Sequence, residues 1–402
     1  MLLYALGKLP REGLSMRGRT ILTLVSAATL VLAGELQTIQ AGAAPRDSAA
    51  AWTIETPIAP TLPNGFFNGV SCADSTHCMA VGDAGIPNTT TPDTAVLAAL
   101  WNGTKWTQEA LTEPKGAMSA RLSGVSCSSA ASCLAVGSFT PARGTEALAE
   151  SWNGTKWAIV AGVEPPKASG AQLESASCVS PTSCIAVGNQ DMGTTALNLA
   201  EAWNGKSWTV LKTPSSSGNY EMLYGVSCHV GSCLAVGTSS HGTTQAPSAL
   251  SWNGKSWTKL APLAPADREG ALTGVSCPAA SSCTAVGTYL GKDTEPLLES
   301  WNGSKWSYMK GPSAPLTFDA VSCFSTTSCL EVGQTLGKVA AASWNGSVWK
   351  ATASPASSPP DVHPGLNGVA CTSTTACLAV GENVTAATTA IVTLATSWNG
   401  TG

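Results

Sequence analysis

A unit of about fifty residues recurs seven times between residue 50 and the end of this 402-residue chain. Each unit reads Gly-Val-Ser-Cys, five residues, Cys-x-Ala-Val-Gly, a variable stretch, and an apolar run into Trp-Asn-Gly-x-x-Trp, with small departures. The spacing of the first cysteines runs from 46 residues (Cys277 to Cys323) to 55 residues (Cys72 to Cys127). This period, without any stretch of 3.6-residue periodicity, is typical of propeller blades and not of helical solenoids.

Each unit contains four short strand-like runs, which we name strands A to D. In the first unit they cover residues 69–72, 78–82, 95–101 and 104–109, and the other units follow in the same phase. The repeats begin near residues 68, 123, 174, 224, 273, 319 and 367.

The Asn-Gly pair between strands C and D is a strong hairpin signal, because a type I′ turn needs positive φ at both central residues. Such a turn would pair Trp101 with Thr104 and Ala99 with Trp106, so that the two indoles lie diagonally on one face of the sheet. We expect these tryptophans to pack between blades rather than to stack on sugars, because each buries a large area.

The two ends of the repeat region complement each other. The seventh Trp-Asn-Gly turn, at 398–400, is followed by only two residues, so the last unit has no strand D. Residues 51–53 match 105–107, so we expect the segment 51–56 to supply the missing strand. The sequence therefore predicts an all-β, seven-bladed β-propeller with four-stranded blades, whose last blade is closed by the N-terminal strand.

The repeats resemble those of secreted bacterial β-propeller repeat proteins, most of which lack an assigned activity, over essentially all of residues 50–402. The segment 151–157 is also similar to the Asp-box turn of sialidase-type propellers, although it is one residue shorter and has Asn for Asp. Since the Asp-box is a folding motif, this second resemblance implies architecture and not sialidase chemistry.

The 14 cysteines form seven close pairs, which suit disulfides better than metal ligands or reactive thiols. Zinc sites need two Cys-x2-4-Cys knuckles or added histidines, and only His77 and His229 lie near any pair, so we expect no metal and no cofactor. The predicted bridges are Cys72–Cys78, Cys127–Cys133, Cys178–Cys184, Cys228–Cys233, Cys277–Cys283, Cys323–Cys329 and Cys371–Cys377.

The first 43 residues read as a signal peptide. Arg11, Arg17 and Arg19 precede a 14-residue apolar run over 21–34, and Ala-Gly-Ala at 41–43 is a typical cleavage site. We expect residues 44–402 to be exported, to the medium or the cell surface, as a monomer. A membrane contact would arise only if the segment were retained.

The composition excludes a nucleic-acid ligand. Only 11% of the residues are charged, the formal net charge is -4, and the 21 basic residues are scattered along the chain without forming a basic stripe.

A ligand site is expected at the end of the propeller that carries the variable D–A and B–C connections, since function on a rigid scaffold usually lies on such loops. The residue four before each first cysteine is polar in every unit and should lie where the central channel opens. This predicted ring consists of Asn68, Ser123, Glu174, Tyr224, Thr273, Asp319 and Asn367.

The sixth unit has Glu331 where the others have the Ala of Ala-Val-Gly. With Cys323 opposite Cys329, Glu331 and Asp319 would be diagonal neighbours on one face, and Glu174 would lie across the ring. These three carboxyl groups are the only catalytic candidates, because no nucleophile elbow is present and the recurrent Ser before each first Cys reads as a backbone-bonding residue.

Three functions remain open at this stage. The first is a binding or scaffold module for a glycan, cell-wall or protein ligand. The second is a propeller hydrolase or lyase that acts on polysaccharide through the carboxyl groups at Glu174, Asp319 and Glu331. The third is a structural wall component.

Overall fold

The computed structural model describes residues 51–56, 58, 63–87, 93–160, 162, 165–215, 220–242, 244–260, 269–290, 295–312, 317–335, 338–353, 361–385 and 390–400. The predicted signal peptide, 1–43, lies outside these residues and stays a prediction. No helix occurs among the described residues, and so none there could cross a membrane.

The described chain forms seven four-stranded antiparallel sheets, which confirms the predicted propeller. Blades 1 to 6 each take four consecutive strands, with strand A innermost. Blades 1 to 3 comprise β2 (Phe66–Asp74), β3 (His77–Gly85), β4 (Thr94–Trp101), β5 (Trp106–Glu109), β6 (Ser119–Ser129), β7 (Ser132–Thr140), β8 (Glu146–Trp152), β9 (Trp157–Ile159), β10 (Gly170–Ser180), β11 (Ser183–Asp191), β12 (Ala196–Trp203) and β13 (Trp208–Val210).

The remaining blades follow the same plan. Blades 4 to 6 comprise β14 (Tyr220–His229), β15 (Ser232–His241), β16 (Thr244–Trp252), β17 (Trp257–Lys259), β18 (Glu269–Ala279), β19 (Ser282–Leu290), β20 (Glu295–Trp301), β21 (Trp306–Tyr308), β22 (Thr317–Ser325), β23 (Ser328–Thr335), β24 (Lys338–Trp344) and β25 (Trp349–Ala351). Blade 7 comprises β26 (Asp361–Ser373), β27 (Ala376–Thr385), β28 (Ile391–Trp398) and β1 (Trp52–Ile54).

The N-terminal strand closes the ring as the sequence predicts. Trp52 pairs directly with Trp398, and the amide of Asn399 donates to the carbonyl oxygen of Ala51 over 3.1 Å. In blade 1 the amide of Asn102 makes the same bond to Lys105 over 3.2 Å, so the two chain ends together reproduce an ordinary C–D junction.

The C–D turn differs from the predicted type I′ hairpin. Trp101 pairs directly with Trp106, so the loop has four residues, and strand D begins at Trp106 and not at Thr104. Positive φ occurs at Gly103 (92°) but not at Asn102, whose Oδ1 instead accepts hydrogen bonds from the amides of Thr104 and Lys105, both over 3.0 Å. The prediction failed because the Asn side chain, and not its backbone, makes the turn.

The core lies between neighbouring blades. Met79 and Val81 of blade 1, for example, pack in one cluster with Trp152 and Trp157 of blade 2. All seven predicted disulfides are present, with Cα–Cα distances of 3.9 to 4.1 Å.

The serine before the first cysteine links adjacent innermost strands, as its backbone-bonding interpretation requires. The amide of Cys127 donates to Ser71 Oγ over 3.0 Å, and the same bond joins each successive pair of blades up to Cys371 and Ser322. Blade 7 has Ala370 at this position, and alanine offers no hydroxyl to Cys72.

Candidate functional site

The seven predicted ring residues are the seven bulged residues of the innermost strands. In blade 6, Phe318 pairs with Gly333 and Ala320 with Val332, while Asp319 between them pairs with neither. The same slip occurs at the ring residue of every other blade. A bulge re-aims a side chain out of the sheet's alternation, so each blade presents one polar residue to the centre.

These residues line one cavity of about 170 Å³ on the axis. Its other lining residues are the two that follow each ring residue, such as Gly124 and Val125, except in blade 3, where only Ser175 follows Glu174 in the lining. Strands A approach closely there, because a β-carbon on Gly124 would lie 2.8 Å from the carbonyl oxygen of Glu174 in the next blade. The cavity is therefore a shallow polar cup over a throat of small residues, and we call it the channel mouth.

Three of the ring residues are engaged in holding blades together. Asn68 donates from Nδ2 to the carbonyl oxygen of Leu122 over 2.9 Å, and Asn367 donates in the same way to Phe67 over 2.9 Å. Thr273 donates to the carbonyl oxygen of Phe318 over 2.9 Å. Each bond reaches the residue just before the next blade's bulge, so these side chains fix the geometry of the cup.

The other four ring residues also line the cup, and among them the Tyr224 hydroxyl donates to Met222 Sδ over 3.6 Å. Glu174 is the best supported of them: its side chain is 17% exposed, its carboxyl accepts from Ser123, and its Oε2 lies 3.7 Å from the Arg121 guanidinium. Tyr224 follows in the next blade, and Asp319, half-buried, lies on the far side of the cup.

A second tier of charge surrounds the ring on strands A and B. Asp83 is buried and accepts a hydrogen bond from Asn68 over 3.1 Å. Glu382 lies at the corresponding position on strand B of blade 7, and Arg121 lies on strand A of blade 2, paired with the corresponding strand B residue. Two carboxyl groups, those of Glu174 and Asp319, thus line the mouth, and those of Asp83 and Glu382 lie behind the ring on strand B, against the single guanidinium of Arg121.

Burial dominates the protonation of these groups. Burial, with a smaller contribution from the neighbouring Glu382 carboxyl, raises the pKa of Asp319 to about 6. Burial also raises the pKa of Asp83 to about 6, against the lowering effects of the Asn68 hydrogen bond and of Arg121. Burial raises the pKa of Glu174, which Arg121 partly offsets. The mouth therefore gains negative charge as the pH rises through 6.

Glu331 is not part of the channel mouth. It pairs with Val321 as expected, but it is fully buried in the face of blade 6 that packs on blade 5, and it is absent from the residues that line the cup. The predicted Asp319–Glu331 neighbour pair is wrong, because the bulge takes Asp319 out of the alternation that the pairing of Cys323 with Cys329 implies. Burial alone raises the pKa of Glu331 well above its usual range.

The glycine of the Ala-Val-Gly motif indicates the bulge in the sequence. A β-carbon on Gly82 would collide with the carbonyl oxygen of Phe66, two residues before the bulged Asn68, and the corresponding glycine of every blade meets the same carbonyl. The residue after this glycine, such as Asp83 or Glu382, is also polar in every unit, and it supplies the second tier that the sequence analysis missed.

No protein-family model and no curated protein matches this chain. YCF48, solved with a bound D1 peptide, superposes with a TM-score of 0.53 at 11% identity over 86% of this chain and 95% of YCF48. At that identity the likeness shows the propeller fold alone.

Two further solved structures superpose less well. A GH74 xyloglucanase from Xanthomonas campestris gives a TM-score of 0.45 at 12% identity over 71% of this chain and 45% of the xyloglucanase. A protein of unknown function from Dyadobacter fermentans gives 0.46 at 11% identity over 87% and 98%.

Proposed function

We propose that the protein is an exported binding module that receives a basic side chain of a peptide or protein ligand in the channel mouth. The observation that carries this proposal is the set of seven bulges, which direct one polar residue from every blade into a single cup. A rigid scaffold that converges polar groups on one small cavity is typical of a binding site.

The charge balance of the mouth favours a cation. Four carboxyl groups surround it, and Arg121 compensates only part of their charge, since it pairs most closely with Glu174. With pKa values of about 6, Asp83 and Asp319 are ionised at pH 7.5. A lysine ammonium or an arginine guanidinium would relieve the repulsion among these carboxylates, and the low local dielectric strengthens that attraction.

The size of the cup favours a side chain over a whole ligand. A cavity of about 170 Å³ is below the 300 to 1,000 Å³ usual for sites that enclose a small molecule, so the rest of the ligand would lie across the variable connections. A peptide suits this arrangement, and the peptide on YCF48 is an example of such a ligand on another propeller.

Two features support export. The predicted signal peptide at 1–43 directs the chain out of the cytoplasm, and the seven disulfides suit an oxidising compartment.

A polysaccharide hydrolase has less support. Glu331 lies outside the mouth, and Glu174 and Asp319 belong to blades 3 and 6, which are not adjacent. The pKa of Asp319 responds to Glu382 and not to Glu174, so the two candidate carboxyl groups do not form a coupled acid–base pair.

A peptide array tests the proposal. Wild-type protein at pH 7.5 should enrich sequences that contain Lys or Arg. The double variant Glu174→Gln, Asp319→Asn should lose this enrichment, and Asp191→Asn, which removes an exposed carboxylate at the same end of blade 3, should keep it. Enrichment of acidic or apolar peptides, or an unchanged pattern in the double variant, would rule out the mouth as a cation site.

A further inference from the structure

A second cavity, of about 860 Å³, lies between the outer parts of blades 5 and 6. Blade 5 contributes Ser282, Thr284, Ser300 and the segment 308–312, and blade 6 contributes Thr326, Trp344 and the segment 347–351. We call this cavity the 5/6 groove. It is remote from the channel mouth, since the two share no lining residue.

The groove lies at the junction where one residue of the repeat is replaced. The residue after the second cysteine faces the tryptophans of the next blade, as Met79 faces Trp152 and Trp157. In blade 5 this residue is Thr284, which is smaller and more polar. In the other six blades it is a large aliphatic residue: Met79, Leu134, Ile185, Leu234, Leu330 and Leu378.

The junction of blades 7 and 1 gives an internal comparison. The cavity there is lined by Ala376, Leu378, Ser397 and Trp101, which correspond in the repeat to Ser282, Thr284, Ser300 and Trp344. With Leu378 in place the cavity measures about 320 Å³, against about 860 Å³ beside Thr284. The larger of these two cavities thus lies at the junction where Thr284 takes the place of the aliphatic residue.

Aromatic side chains in the 5/6 groove are partly exposed to solvent. Tyr308 is 60% exposed, and Trp344 is half-buried although most tryptophans of the repeats are buried. The indole of Trp349 also lines the groove, and its Nε1 is buried without a hydrogen-bond partner among the described residues, as is Nε1 of the equivalent Trp106, Trp157, Trp208, Trp257 and Trp306. Trp252, Trp301, Trp306 and Trp344 are half-buried and so depart from the expectation that every tryptophan is core, and of these four Trp344 lines the groove.

The lining also has apolar residues, such as Met309, Pro312 and Val348, and it has hydroxyl and ammonium groups. Ser282, Ser347 and the Thr284 hydroxyl stand between the rings, and the exposed Lys310 and Lys350 flank them. A ligand that fits this surface has a flat apolar face for the rings, hydrogen-bonding groups along its edges and negative charge. A pyranose with a carboxylate combines these three properties, whereas an aromatic side chain lacks the edge hydroxyls.

From these observations we propose that the 5/6 groove binds an acidic saccharide, a chain of uronic acid residues, with sugar rings on Trp344 and Tyr308 and carboxylates near Lys310 and Lys350. This site is independent of the channel mouth and of the peptide proposed to bind there. Together the two sites would let one molecule join a polysaccharide to a protein partner.

Calorimetry with an α-1,4-linked galacturonate hexamer tests the site, with neutral cellohexaose as the comparison. The acidic hexamer should bind wild-type protein, and cellohexaose should bind at least about fivefold more weakly. Tyr308→Ala should weaken hexamer binding about fivefold to tenfold, the range expected for one stacked ring. Ile159→Ala, at the equivalent position of blade 2, should leave the affinity unchanged.

Thr284→Leu restores the plug of the other blades and gives a second, independent readout. It should weaken hexamer binding while raising the melting temperature, because it adds aliphatic surface on the side of the groove that faces Trp344 and Trp349. Lack of binding by wild-type protein at millimolar hexamer, equal binding of cellohexaose, or unchanged affinity in both Thr284→Leu and Tyr308→Ala would overturn the proposal.

Discussion

The carbonyl oxygen of Phe66 occupies the space where a β-carbon on Gly82 would lie. The bulge at Asn68 places that oxygen there. The bulge, which is repeated in all seven blades, therefore requires a glycine at this position of strand B. Gly82→Ala should therefore destabilise the protein by about 3 kcal/mol or more, because the backbone of two paired strands must separate.

Gly85→Ala, on the same strand, is the matched control. Its added β-carbon would meet the carbonyl oxygen of Pro63 at 3.4 Å, an ordinary contact, so we expect a change below about 1 kcal/mol. Urea denaturation of both variants provides the measurement. Equal effects of the two substitutions would show that strand B tolerates a side chain at the bulge.

The serine bonds between innermost strands make a prediction at the closing junction. Ala370→Ser should add the bond that Ser322 makes to Cys371 at the preceding junction, and stabilise the protein by about 1 kcal/mol. Ser126→Ala, which removes the bond to Cys178, should cost about the same. If the melting temperature changes in the same direction for both variants, the serine bonds between adjacent innermost strands do not stabilise the propeller.

Buried carboxyl groups between the blades predict how stability depends on pH. Burial raises the pKa of Glu150 from 4.5 to about 8, with a contribution from Glu113, and raises the pKa of Glu299 from 4.5 to about 7. The folded state therefore binds more protons than the unfolded state between about pH 4.5 and 8, so stability falls as the pH rises through this window.

Melting temperatures at pH 5 and pH 8 test this dependence. The wild-type value should be higher at pH 5, and the double variant Glu150→Gln, Glu299→Gln should reduce the difference. Glu146→Gln alters a half-buried carboxyl on the same strand as Glu150 and should leave the difference unchanged. A wild-type melting temperature that rises from pH 5 to pH 8 would contradict the assignment.

In blade 6 the positions of a paired glutamate and alanine are reversed relative to three other blades. In blade 6 Glu331 pairs with Ala342, whereas blades 2, 3 and 5 place the glutamate on strand C opposite an alanine on strand B. The reversed pairs are Ala135–Glu150, Ala186–Glu201 and Ala285–Glu299. In these four blades, the pair formed by one residue of strand B and one of strand C therefore contains one glutamate and one alanine, and the glutamate can be on either strand.

Blade 6 should accept the arrangement of its neighbours. We expect the double variant Glu331→Ala, Ala342→Glu to unfold within about 1 kcal/mol of wild type, and Ala342→Glu alone to lose about 2 kcal/mol or more, because two acidic side chains then compete for one buried space. Denaturant titration compares the two. Equal free energies of unfolding for the single and double variants would show that side chains at positions 331 and 342 do not compete for the same buried space.

The sequence predicted what the repeat encodes locally. Cysteine spacing identified the disulfides, and the match of Trp52 to Trp106 identified the closing strand. It placed the seven ring residues at the channel but put Glu331 beside Asp319, because strict alternation cannot anticipate a bulge, whose signal is the glycine on the partner strand. Thr284 was missed for a different reason: its effect arises between blades, and a single unit does not show it.

Binding of a basic side chain in the channel mouth can be measured by calorimetric titration of the peptide Gly-Gly-Arg-Gly-Gly, capped at both ends, at pH 7.5. The peptide should bind to wild-type protein and to Asp191→Asn, and should bind at least about tenfold more weakly to Glu174→Gln, Asp319→Asn. Equal affinity of the peptide for wild type and the double variant, or equal affinity of wild type for a glutamine-centred peptide, would contradict binding of a basic side chain in the mouth.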